Sequence, residues 1–143
     1  MGAKGPQPRD IARRFPGAMQ KALEETVEKL DDQFKKEIKS ATWLWETNGG
    51  AERTIRKNGR TVGEPRDIVD LGKLLDSQTP PKQTSKYSFL IKWKVDYSAI
   101  VHDGGVLKNG KGTYPARPWT KTAEDKVKPL GYFADILRRE LNG

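Results

Sequence analysis

From Met19 onward, apolar side chains recur as Met19, Leu23, Val27, Leu30, Phe34, Ile38, Ala41 and Trp45, at spacings of four, four, three, four, four, three and four. That is the repeat of one face of an α-helix, and charged residues fill the opposite face. The pattern predicts an amphipathic helix that starts near Pro16 or Gly17 and stops at Asn48-Gly49-Gly50, residues that accept left-handed backbone angles. Such a helix has about 28 residues and, at 1.5 Å each, a length of about 42 Å. A single domain of 143 residues is roughly 37 Å across. The helix therefore spans the domain or overhangs it, and both core packing and a subunit contact are open to it.

Around this helix the chain divides by pattern. Residues 1–16 are rich in Gly, Pro and Arg, with Pro6, Pro8 and Pro16 each opposing continuous helix, and read as a flexible basic arm. Residues 17–143 read as one domain. Between Arg53 and Val62 an Asn58-Gly59 pair joins two short polar arms, the signature of a hairpin with a type I′ turn; with few apolar residues of its own, it is expected to project. Asp67 to Ser77 leads into Pro80-Pro81 and predicts an extended piece, a turn near Gly72 and a short helical turn.

From Ser85 the period changes to two. Tyr87, Phe89, Ile91, Trp93, Val95, Tyr97, Ala99 and Val101 share one face, as one long strand or as two broken near Asp96. That face needs cover, and the long helix is the available partner. The predicted fold is α+β: a long N-terminal amphipathic helix packed on a small antiparallel β-sheet, a projecting β-hairpin and a C-terminal helix. Gly104-Gly105 opens a loop that runs to Pro118. The final helix carries Val127, Leu130, Phe133, Ala134, Leu137 and Leu141, and its regular part follows Pro129.

Composition removes much of enzymology. The chain has no cysteine and one histidine, so disulfides, thiolate metal sites, cysteine nucleophiles and double-histidine catalysis all fall away. His102 lies near Asp96 and Asp103, but no third ligand has a recognisable metal spacing, and the segment Lys108–Gly112 lacks the phosphate-loop pattern and its following helix. No catalytic residue, metal or cofactor is expected, and the chain is read as a non-enzyme. No apolar run approaches the roughly 18 residues that cross a bilayer, and residues 1–15 lack the apolar middle of a secretory leader. The expectation is a soluble chain of the cytosol, without membrane contact.

The net charge is +8, and it is unevenly placed. Residues 1–16 and 49–66 each carry +3 and residues 108–121 carry +4, whereas residues 17–46 sum to −2. Basic excess thus sits in loop-like segments, where it suits either phosphates or acidic protein surfaces. For nucleic acid, Tyr114 and Trp119 within the last basic stretch could stack on bases. For protein, Arg53, Arg56, Lys57 and Arg60 of the hairpin are the candidates for contacts between subunits.

Three segments stand in a fixed order: Asp70 to Ser77, containing Gly72, Leu74 and Ser77; Tyr97 to Gly105, containing Ala99, Val101, His102 and Gly104; and Pro115-Ala116-Arg117-Pro118-Trp119. Together they resemble the neck and tail-completion proteins of tailed bacteriophages, the tail-terminator and head–tail joining family. The resemblance covers residues 67–124 and, loosely, the first helix; it departs from the pattern at Leu71 and at Ser98. It implies a structural virion protein, assembled in the host cytoplasm, that forms a ring, most simply of six copies, at the top of the tail tube or in the neck. Its partners would be further copies of itself, the neighbouring connector protein and the tail tube protein, with DNA able to pass through the lumen. Independently of the resemblance, Arg117 and Trp119 are candidates for the subunit or partner interface, with Arg117 bridging to carboxylates of its own or an adjacent subunit and Trp119 anchoring its loop in an apolar pocket. Gly72, Tyr97, His102, Gly104, Pro115 and Pro118 are candidates for holding the motif in shape. A small basic nucleic-acid-binding protein is the alternative.

Overall fold

The computed structural model describes residues 7–40, 43, 54–55, 61–62, 72–106, 113–114 and 116–142, with backbone alone at 54–55, 61–62, 106 and 113–114. In chain order the elements are α1 (Pro8–Lys39), β1 (Thr54–Ile55), β2 (Thr61–Val62), α2 (Lys73–Asp76), β3 (Lys82–Ser85), β4 (Ser88–Leu90), α3 (Ser98–Asp103), β5 (Gly105–Val106), β6 (Thr113–Tyr114), α4 (Trp119–Val127) and α5 (Pro129–Asn142). The fold is α+β, helix-rich, with each antiparallel ladder two strands wide. No helix among the described residues is long and apolar enough to cross a membrane.

α1 is a 32-residue helix, displaced toward the N-terminus from its expected place. It starts at Pro8 rather than at Pro16, so residues 8–16 of the expected flexible arm are helical. Pro8 occupies the first turn, where its missing N–H has no intrahelical role. Pro16 sits inside the helix, where it removes one bond to the Ala12 carbonyl without ending the run. At the other end the helix stops at Lys39, because Ser40 turns extended and the Trp43 indole reaches back to donate to the Glu37 carbonyl at 2.9 Å. That bond satisfies one of the acceptors a helix end leaves open. Asn48-Gly49-Gly50, the expected stop, lies outside the described residues.

The buried line along α1 is Ala18, Ala22, Thr26, Phe34 and Ile38, with Leu30 partly covered. Met19, Leu23 and Val27, expected in the core, are half-buried beside it. Small residues at 18 and 22 let α5 lie close along α1, and the larger Phe34 and Ile38 fill the space toward α4. Phe34, Ile38, Leu74, Trp119 and Ala123 form the core, with Ile91, Trp93, Val95 and Val101 packed against it. The long helix thus lies chiefly against α4 and α5, and its link to the β3–β4 hairpin runs through Gln20 and Gln83 at 2.9 Å.

The expected long strand divides. β4 pairs with β3, the chain stays extended through the Gln78–Trp93 bridge, and from Tyr97 it turns into α3. Phe89, Ile91, Trp93 and Val95 do alternate half-buried with exposed neighbours. Tyr97 and Val101 continue the same alternation in sequence yet lie at and in α3, because a spacing of four fits both a strand face and a helix face. In the β1–β2 hairpin Thr54 faces Val62 and Ile55 faces Thr61. That register puts an odd number of residues, 56–60, between the arms; a two-residue turn at Asn58-Gly59 would have set Ile55 opposite Val62. At the C-terminus Lys128 adopts φ 52°, and Pro129, unable to continue α4, opens α5 instead.

Candidate functional site

The segments singled out in the sequence converge where α3, the 116–118 turn and the start of α4 meet the core. After α3 the chain enters β5, returns through β6 and runs back beside its own outward path, with Gly105 facing Tyr114 and Val106 facing Thr113. The Arg117 amide then donates to the carbonyls of Val101 (3.2 Å) and His102 (3.1 Å). This fixes the position at which α4 begins, and Trp119, its first residue, enters the core at 1% exposure.

Trp119 is held by edge-on ring contacts, with centroids 5.3 Å from Trp93 and 4.8 Å from His102, and Trp93 in turn meets Phe34 of α1 at 5.5 Å. Such arrangements set the positive edge of one ring against the negative face of the next. His102 is further tied at both nitrogens: Nδ1 lies 2.6 Å from Asp103 Oδ1 and Nε2 lies 2.6 Å from Thr120 Oγ1. These groups, with Trp93, Ser98 and Ala99, line an open cleft of about 220 Å³.

A second polar cluster braces the core from the α1 side. Gln78, 9% exposed, donates from Nε2 to the Asp31 carbonyl (3.0 Å) and to Asp31 Oδ1 (2.8 Å), and accepts from Trp93 Nε1 (3.1 Å). Buried Glu37 accepts from Lys126 Nζ at 2.6 Å and from Gln33 Nε2 at 2.8 Å. On the surface, Lys21 lies 3.2 Å from Glu140, and this hydrogen bond, aided by Arg139, holds the Glu140 carboxyl below its ordinary value.

Gly72 (φ 77°) and Gly104 (φ 79°) occupy the left-handed half of the backbone map, which favours glycine. Tyr97, 41% exposed, precedes α3, and His102 lies in α3 rather than at a strand end. Pro118 precedes α4. Arg117 is 8% exposed, so both it and Trp119 lie within this chain's own fold and neither offers a free surface to a partner. Burial also removes Trp119 from base stacking. Arg53, Arg56, Lys57, Arg60 and Pro115, and the Tyr114 side chain, lie outside the described residues.

Thr120, Gln78, Asp31 and Glu37 are parts of the site that sequence reasoning missed. Thr120 lies in α4, a helix the sequence pattern does not mark out, and meets His102 across 18 positions, so it had no local signal. Gln78 and Asp31 had none, since they meet across 47 positions.

An imidazole nitrogen on a hydroxyl, backed by a carboxylate, is one way a nucleophile is activated. Here Asp103 is 72% exposed, so water competes for its carboxylate. The three groups also join α3 to α4, and the geometry serves that linkage directly. Among the described residues no three His, Asp or Glu side chains come together to hold a metal ion. Compared with family models, curated proteins and solved structures, the chain matches none of them.

Proposed function

We propose that this chain is a structural virion protein of a tailed bacteriophage, a tail-completion or head–tail joining subunit. Six copies form a ring in the neck or at the top of the tail. The ring terminates the tube and presents a face to the connector protein on the head, with DNA passing through the lumen. The role is non-enzymatic and works by complementary interfaces. The reading rests on the resemblance of the three ordered segments, and it is supported by their convergence: Leu74 from the first, Val101 and His102 from the second and Trp119 from the third pack into one unit. A fold held together by its motif residues leaves the basic segments free to serve contacts. Hairpin 52–63, the N-terminal arm and loop 104–119, apart from its buried Arg117 and Trp119, then supply binding energy on meeting neighbours, which restrains premature aggregation.

The test is replacement of Arg53, Arg56, Lys57 and Arg60 together by Ser. The variant is expected to keep its circular dichroism and melting temperature while losing most ring formation or tail joining in an assembly assay. Normal joining by a folded variant would overturn the assignment of those side chains to the interface. The nucleic-acid alternative calls for a monomer that binds duplex DNA with a steep loss of affinity as salt rises.

A further inference from the structure

α1 is longer than anything laid against it. α5 runs antiparallel to it, since Glu140 pairs with Lys21 (3.2 Å) and Arg139 with Glu25 (2.9 Å) near the end of α5, while Lys126, just before α5, pairs with Glu37. α5 ends at Asn142, and the β3–β4 hairpin reaches α1 at Gln20. Before that level none of the other described elements covers the helix, although Asp10 and Ile11 are half-buried. Residues 12–17 are all exposed, and a Cβ on Gly17 would find no atom within 4 Å. Ala18 is the first buried residue of the helix. Residues 8–17 therefore project by about 15 Å.

Such a projection is a poor helix alone. Proline in a helix interior costs about 3 kcal/mol and glycine about 1 kcal/mol relative to alanine, and both stand at its root as Pro16 and Gly17. Isolated helices shorter than about 12 residues are marginal in water. The arm needs a surface to lie on. It carries Arg9, Arg13 and Arg14, with Ile11 and Phe15 four residues apart and Phe15 40% exposed.

The complementary surface lies further along the same helix. Residues 24–32 hold Glu24, Glu25, Glu28, Asp31 and Asp32 against the single Lys29. Of these, Glu24, Glu28 and Asp32 are exposed at intervals of four, each step rising about 6 Å, the same rise that separates Arg9 from Arg13. Among the described residues, Arg9, Arg14, Glu28 and Asp32 make no ion pair, and Arg13 pairs only with its own neighbour Asp10, in the open.

We propose that residues 8–17 of one copy lie along the Glu24–Glu28–Asp32 row of a second copy. Arg13 and Glu28 are about 22 Å apart on one straight helix, so the contact cannot form within a chain. The two surfaces differ, which makes the contact head to tail, the kind that repeats and closes into a ring when its rotation allows. The inference deepens the ring reading and rests on its self-association alone.

With no cysteine in the chain, Arg13→Cys and Glu28→Cys can be made as separate single variants and mixed with a short bis-maleimide. The mixture is expected to give at least ten times more covalent dimer than either variant alone. Reversing Arg9, Arg13 and Arg14 to Glu should weaken association at least tenfold with circular dichroism unchanged, and adding Glu24→Arg, Glu28→Arg and Asp32→Arg in the same chain should restore it. A wild-type protein that associates, yet gives no such dimer and ignores the reversal, overturns this contact and spares the ring. A wild-type protein that stays monomeric overturns both. If arm reversal abolishes retention of duplex DNA but leaves association intact, the arm serves phosphates and the proposal fails.

Discussion

Gly104 ends α3 with φ 79° and ψ 177°, a combination essentially closed to residues with a Cβ. It turns the chain so that β5 can pair with β6 and the Arg117 amide can return to Val101 and His102. Gly104→Ala is expected to lower unfolding stability by about 1–3 kcal/mol, measured by urea titration, and a neutral result would mean that the turn adjusts freely. Gln78 is the second residue on which the core depends. Gln78→Leu removes three hydrogen bonds and leaves the half-buried Trp93 N–H and one Asp31 oxygen short of partners. A loss of about 2–3 kcal/mol is expected, and the same titration checks it. At this scale the sequence was partly legible. The glycines and Trp119 could be singled out because positive φ and a large aromatic after a proline leave local marks. Gln78, Asp31 and Thr120 work through partners distant in sequence, which no local pattern reveals.

Among the elements, α1 and the C-terminal helix were legible because a long apolar repeat survives errors at its ends. The ends themselves were not. Pro16 suggested a start, yet the helix absorbs it, and the stop at Lys39 depends on the Trp43 indole, a contact made only after folding. The segment 85–101 differs for another reason: its alternation is real from Phe89 to Val95, and beyond it a spacing of four belongs equally to strand and helix. The junction of α4 and α5 yields a test. Lys128 stands left-handed at φ 52°, which costs a residue with a side chain roughly 1–2 kcal/mol. Lys128→Gly removes that strain but enlarges the freedom of the unfolded chain, worth about 0.4–1 kcal/mol the other way. The net expectation is a gain of up to about 1 kcal/mol in thermal or urea unfolding, and a clear loss would show that the Lys128 side chain contributes more than its backbone strain costs.

For the whole molecule, one arrangement links fold to proposed role. The core gathers where α1, α2, α3 and α4 meet, and the motif residues are engaged in holding it. The basic arm of α1 is left outside, beyond the end of α5, with residues 12–17 exposed. On the proposed reading, a protein built in this way carries its assembly surfaces on projections and its stability in the centre, so that contacts can change without unfolding the domain. The measurement that tests this most directly is the absolute mass of the purified protein by light scattering, across concentration and at two salt levels, with negative-stain images of the largest species. The account predicts rings of about six copies that dissociate as salt rises, since the contacts are between charges. A strict monomer at every concentration and both salt levels would contradict it.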